Sequence, residues 1–90
     1  MTALRHAILS ALLAGSPGWM TLPQVYQEVA QVDWLGAHGR HCPSQPSIRT
    51  CLWRMAEYEW VSGLEGKPEC WCITSLGRGY LEAYNNRHDR

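Results

Sequence analysis

One amphipathic stretch, residues 44–61, constrains the fold of this chain more than any other part of the sequence. Its apolar residues recur at the spacing of one helical face: Ile48, Cys51, Leu52, Met55 and Ala56. Ser44 is a suitable N-cap, and Pro46 falls in the first turn, where its missing N–H costs no hydrogen bond. The stretch therefore predicts a helix with one buried face. The residues left on the outer face are Arg49, Thr50, Trp53, Arg54 and Glu57.

Apolar periodicity predicts three further helices and three short strands. The helices cover residues 2–14, 22–32 and 75–86, and the inner side of the last one is formed by Leu76, Tyr80, Leu81 and Tyr84. The strands cover residues 19–21, 61–64 and 70–74, and a hairpin loop of residues 65–69 joins the last two. Residues 33–42 lack a period and predict an irregular connection with one helical turn around Trp34 and Leu35. Residues 87–90 are expected to be a frayed tail.

Length and composition predict a single globular domain over residues 1–90. Ninety residues leave no room for a second core, and 46% hydrophobic residues are enough to pack one. No apolar run approaches the roughly 20 residues that a membrane span needs. Arg5 and His6 lie within an amphipathic pattern and no cleavage site follows, so a secretory signal is not expected. We therefore predict a cytoplasmic protein.

The charge of the chain gives no overall signal for nucleic acid. Eight basic residues balance eight acidic ones, so the formal net charge is zero. A strongly basic chain would indicate DNA or RNA on electrostatic grounds alone, because neutralising phosphates supplies most non-specific affinity. Here such a function has to depend on where the charges lie.

Two motifs in the C-terminal half resemble bacterial winged helix-turn-helix regulators such as the MarR and PadR families. Residues 47–61, SIRTCLWRMAEYEWV, are similar to the recognition helix and exit strand of those families. Residues 73–81, ITSLGRGYL, are similar to their Leu-Thr and Gly-Arg pattern after the wing. The resemblance implies a mainly α fold with a small antiparallel β-hairpin, a winged helix-turn-helix. The first half of the chain fits this fold in the order of its elements.

The resemblance implies sequence-specific binding of double-stranded DNA in transcriptional regulation. The helix over residues 44–59 would lie in the major groove and the hairpin of residues 61–74 would act as the wing. Arginine pairs with guanine and glutamine with adenine, whereas a basic residue further along the helix contacts phosphate. The implied DNA-binding residues are Gln45, Ser47, Arg49, Thr50, Trp53, Arg54 and Lys67.

Two departures from the family pattern keep a second hypothesis open. The wings of these families carry several basic residues, whereas Lys67 is flanked by Glu65 and Glu69. An outward Trp53 is more typical of a protein interface than of a groove-reading surface. The alternative is a winged-helix module that binds a protein partner through the Trp53 face. One example is an inhibitor of anti-CRISPR type that binds a nucleic-acid-handling complex. A third interpretation needs no partner: Arg49 and Arg54 would belong to a helix face that only contacts solvent.

The cysteines and histidines offer weak candidates for a metal site. Zinc accepts the ligand types of His38, His41, Cys42, Cys70 and Cys72, but their spacing matches no standard zinc motif. We therefore predict no metal and no other cofactor. The chain also lacks a recognisable catalytic triad, phosphate loop or carboxylate pair, so we predict that it is not an enzyme.

The two terminal helices allow either a monomer or a homodimer. Their apolar residues can all be core, but a domain of this size has little core to offer. In the regulators that the chain resembles, these helices commonly build the dimer. A homodimer on a two-fold DNA site is therefore an expectation that the resemblance implies.

Overall fold

The structure is a computed structural model that describes residues 1–88. Five helices and three strands follow one another along the chain, with bounds α1 Ala3–Gly15, β1 Met20–Thr21, α2 Leu22–Ala30, α3 Trp34–His38, α4 Gln45–Glu57, β2 Val61–Leu64, β3 Cys70–Ile73 and α5 Ser75–His88. The predicted class, mainly helical with a small antiparallel sheet, is confirmed. Among the residues described, no helix is long and apolar enough to cross a membrane.

Local side-chain hydrogen bonds define where the helices begin. The hydroxyl of Thr2 accepts from the N–H of Arg5, and that of Ser44 accepts from the N–H of Ser47. Before α2, the side chain of Gln24 accepts from the N–H of Thr21 at 2.9 Å, one half of a capping box. These caps satisfy N–H groups that have no partner inside a helix, so the predicted helix starts are accurate.

The sheet has three antiparallel strands in the order β1-β3-β2. The predicted hairpin is present, with Val61 opposite Ile73 and Leu64 opposite Cys70. The two residues of β1 pair with the other edge of β3 and complete the sheet. Strand β3 is thereby central, and its Trp71 is fully buried.

The core lies between α1, α2, α4, α5 and the sheet. Its largest fully buried side chains share contacts across these elements: Trp71, Ile8, Leu9, Leu12, Ile48, Leu52, Met55, Leu81, Val25 and Val29. Trp34 is also buried, and its indole N–H donates to the carbonyl of Val29 at 2.9 Å. This bond fixes α3 against the end of α2 and shortens the irregular connection that the sequence predicts.

The inner face of α5 differs from the prediction. Leu81 is buried as expected, but Leu76 and Tyr80 are 47% and 49% exposed. The reason is the close approach of Gly77 to the carbonyl of Trp60, where a Cβ atom would overlap the backbone. This contact turns the helix so that Gly77 and Leu81 face the core. Helix α5 continues to residue 88, two residues beyond its predicted end; residues 89–90 of the predicted tail lie outside the part described.

Thr74 connects the end of α4 to the start of α5. Its hydroxyl donates to the carbonyl of Glu59 at 2.6 Å and accepts from the N–H of Gly77 at 3.1 Å. Glu59 adopts a left-handed backbone conformation, with φ 65°, that turns the chain out of α4 towards β2. Thr74 therefore holds a tight turn and caps the last helix.

Candidate nucleic-acid interface

The polar face of α4 is the candidate interface. Ser47, Arg49, Thr50 and Arg54 are exposed on it, and Gln45 is half-buried at its start. The opposite face, formed by Ile48, Leu52 and Met55, is fully buried. The amphipathic pattern thus fixes which side chains α4 can offer to a partner.

Arg49 is held by the hairpin. Its Nε donates to Oε1 of Glu69 at 2.6 Å and its Nη2 donates to Oε2 at 2.8 Å. This two-point geometry is the strongest that a guanidinium makes with a carboxylate. The hydrogen bonds to Glu69 raise the pKa of Arg49, and the same bonds lower the pKa of Glu69. A residue expected to read bases is therefore occupied by an intramolecular partner.

The hydroxyls at the start of α4 are engaged locally. The Thr50 hydroxyl donates to the carbonyl of Pro46 at 3.0 Å, and the Ser47 hydroxyl lies 3.1 Å from that of Ser44. Both hydroxyls keep acceptor lone pairs, since a hydroxyl accepts as well as donates. Both side chains are exposed and remain available to an outside donor.

Trp53 does not stand free on the outer face. It is half-buried, and its ring meets Trp71 edge to face with centroids 5.5 Å apart. A Cβ atom at Gly63 would overlap the same ring, so β2 runs close beneath it. The expectation of an exposed tryptophan is wrong, because the hairpin folds onto α4 and covers it. Trp53 joins α4 to the sheet.

The hairpin tip carries Lys67 as expected. Lys67 is exposed, and Glu65 beside it is exposed as well. Glu69 turns back towards Arg49 and takes no part in the tip. The hairpin therefore presents one positive and one negative charge to a partner.

A basic cleft between α1 and α4 was not expected from the sequence. It measures about 330 Å³ and is lined by Arg5, Ser47, Thr50, Cys51 and Arg54. The guanidinium of Arg5 lies 5.4 Å from the ring centroid of Tyr58 and 5.7 Å from that of Trp60. Nothing in the periodicity of α1 marks Arg5, because only the packing of α1 on α4 brings it to this face.

Positive and negative charges are separated along the chain. Residues 34–56 contain Arg40, Arg49 and Arg54 without a single Asp or Glu. Residues 57–69 contain Glu57, Glu59, Glu65 and Glu69 against one lysine. The net charge of the whole chain is zero, but a basic segment that includes most of α4 is followed by an acidic segment.

The weak metal candidates do not form a site. Among residues 1–88, no group of three or more His, Cys, Asp or Glu side chains is placed to hold a metal ion. All four cysteines are free thiols. Cys42 and Cys70 instead lie near the carbonyls of Pro43 and Pro68. His38 packs against Trp34 with ring centroids 5.1 Å apart and the ring planes tilted by 47°.

Comparison with known proteins gave no match to a protein family, a curated protein or a solved structure.

Proposed function

We propose that this protein is a winged helix-turn-helix transcriptional regulator that binds double-stranded DNA, with α4 in the major groove and the hairpin of residues 61–74 as the wing. The observation that carries the proposal is the polar face of α4. There Ser47, Thr50 and Arg54 lie together beside Arg5 in a cleft that no carboxylate lines. A surface of hydroxyls and guanidiniums suits phosphate oxygens and base edges. A cytoplasmic location is part of the proposal.

The arrangement of elements supports the fold part of this proposal. An exposed helix, α4, follows two shorter helices and leads directly into an antiparallel hairpin. The hairpin packs beside α4 and shares its central strand with β1. A helix in such a position can enter a major groove about 12 Å wide while a neighbouring hairpin contacts the backbone.

The side chains divide into reading and positioning roles. Gln45 at the start of α4 suits adenine, and Thr50 suits either a base edge or a thymine methyl group. Arg54, about two and a half turns after Gln45, suits a phosphate contact. Arg49 reads guanine only after it leaves Glu69, so in the free protein it contributes to the shape of the surface and not to its charge.

An exposed apolar face of α5 supports a homodimer. Ser75, Leu76, Gly79, Tyr80 and Ala83 line a shallow depression of about 310 Å³. Leu76 and Tyr80 are each about half exposed, which is unusual for two large apolar residues on one helical face. A two-fold dimer through this face predicts DNA half-sites about 10 base pairs apart.

The change Ala83→Glu should abolish the dimer, as measured by sedimentation, without unfolding the chain.

The test is selection of bound sequences from a random duplex pool, followed by affinity measurements against salt. We expect an enriched sequence and a logarithmic salt slope of several units. Gln45→Ala should reduce the discrimination between bases at one position by about tenfold. Gln27→Ala, at an exposed position of α2, should leave that discrimination unchanged. If no duplex is retained at about 50 mM salt, where such contacts are strong, the proposal is wrong.

The acidic segment favours a second candidate, a protein-binding module or inhibitor of a nucleic-acid-handling complex. Glu57, Tyr58 and Glu59 are exposed at the end of α4, and Leu64 and Glu65 are exposed on the hairpin. Such a surface complements a basic groove on a nucleic-acid-binding partner. This candidate predicts a complex that survives Arg54→Gln and is lost on Glu57→Lys. DNA binding predicts the reverse.

A further inference from the structure

Two arginines from different helices converge without a counter-ion. Arg5 and Arg54 line the same cleft between α1 and α4, with the hydroxyls of Ser47 and Thr50 beside them. Neither guanidinium forms an ion pair within residues 1–88, whereas Arg49 on the same helix does. Two like charges that share a cleft repel each other, and an anion between them relieves the repulsion.

The thiol of Cys51 lies in the same cleft as the two arginines. Cys51 is half-buried at the floor of the cleft, and burial raises the pKa of its thiol. The charges of Arg5 and Arg54 act in the opposite direction on the pKa of the same thiol. Arg5, Cys51 and Arg54 therefore border one cleft.

The orientation of Arg5 leaves its donors available. Its guanidinium carbon lies over the rings of Tyr58 and Trp60, and this cation–π contact takes up none of its hydrogen-bond donors. The N–H groups of a guanidinium lie in its plane, so an anion in the cleft can accept from them. Stacking also restricts the side chain, which lowers the entropy lost when an anion binds.

We propose that the cleft binds a phosphate group between Arg5 and Arg54, with the hydroxyl of Ser47 as an additional donor. We identify this group as a backbone phosphate of a bound DNA duplex. That identification rests on the proposed function. Arg5 then extends the DNA contact from α4 to α1. The cleft sets the register of the protein on DNA without reading sequence.

The first experiment uses inorganic phosphate and nuclear magnetic resonance of the arginine side chains in the full chain. At constant ionic strength, phosphate should shift the Nε–H signals of Arg5 and Arg54 in the wild type. Arg5→Gln should abolish the shift at Arg54, whereas Arg78→Gln on α5 should not. Arg78 is a matched control because its guanidinium already donates to the hydroxyl of Ser16 at 3.0 Å.

The second experiment measures binding of a duplex against salt. Arg5→Gln should reduce the logarithmic salt slope by about 0.9 and leave the preference between sequences unchanged. Arg54→Gln tests the same cleft from an exposed position, and a melting curve checks that each variant is folded. Arg5→Lys should keep the slope but weaken binding, because lysine lacks the planar pair of donors.

The outcomes separate this inference from the proposed function. If phosphate shifts neither arginine and Arg5→Gln leaves the salt slope unchanged while DNA still binds, the cleft is not a phosphate site. If phosphate binds but Arg5→Gln leaves DNA binding unchanged, the DNA backbone is not its source. If phosphate binds and no duplex does, the proposed function fails and the anion site stands.

Discussion

Arg49 and Glu69 join the outer face of α4 to the hairpin by two hydrogen bonds across 20 residues of sequence. The pair lies at the position where a reading arginine is expected, and it is exposed to solvent on the Arg49 side. It therefore couples two properties of the surface, the position of the hairpin and the charge that α4 offers. Any partner that needs Arg49 has to compete with Glu69 for it.

Glu69→Gln should strengthen DNA binding. The change removes the carboxylate that holds Arg49 and leaves a neutral side chain of similar size. We expect a few-fold gain in affinity and a logarithmic salt slope steeper by about one unit, since one more cation can reach a phosphate. The measurement is fluorescence anisotropy with one duplex at several salt concentrations.

Glu65→Gln is the matched control for that change. It removes the same charge from the same hairpin loop, but Glu65 forms no ion pair among the residues described. We expect a smaller gain that disappears at high salt, because only long-range repulsion is relieved. Equal gains for the two variants would mean that Arg49 is not restrained by Glu69.

Acid should open the link between α4 and the hairpin. Arg49 lowers the pKa of Glu69 in the folded chain, so the pair contributes stability above the ordinary glutamate pKa of about 4.3. That contribution is lost as the pH falls through the lower, folded-state pKa. Carboxyl NMR titration should find Glu69 titrating below the ordinary value in the wild type and close to it in Arg49→Gln. The same Glu69 pKa in both proteins would contradict the structure.

Two glycines of α5 should respond oppositely to alanine. A Cβ atom at Gly77 would overlap the carbonyl of Trp60, whereas one at Gly79 meets nothing within 4 Å. We expect Gly77→Ala to lower the free energy of unfolding by about 1–3 kcal/mol through overpacking. Gly79→Ala should raise it by up to about 1 kcal/mol, because alanine favours the helix. Urea unfolding at low protein concentration measures both, and equal effects would contradict this placement of α5.

Trp53→Ala should destabilise the fold. Its ring packs between Trp71 and the backbone at Gly63, so truncation leaves a cavity beside the sheet. We expect a loss of about 2–4 kcal/mol in the free energy of unfolding. Trp19→Ala is the control, since Trp19 is 48% exposed and should cost about 1 kcal/mol or less. Similar losses of unfolding free energy for the two variants would mean that Trp53 behaves as a surface residue, in contradiction to its packing on Trp71.

The sequence predicted the positions of the helices and strands more accurately than it predicted which side of each helix is buried. Periodicity and caps placed α1, α4 and both strands of the hairpin within one or two residues of their positions. Caps and periodicity depend on residues about four positions apart, so they can be identified in the sequence before the fold is known. The inner face of α5 was predicted partly wrong, because Leu76 and Tyr80 obey the same period as Leu81. The choice between these faces depends on the contact of Gly77 with Trp60.

The sequence by itself determined that α4 is amphipathic, that Ser44 caps its start, and that Ser47, Arg49, Thr50 and Arg54 lie on its polar side. Only the tertiary structure decided what those side chains meet. The hairpin brings Glu69 to Arg49 and Gly63 to Trp53, and the packing of α1 brings Arg5 to Arg54. These partners are 10 to 49 residues apart, and no local pattern encodes their distance. They are set when the buried faces of α1, α4 and the sheet close around one core.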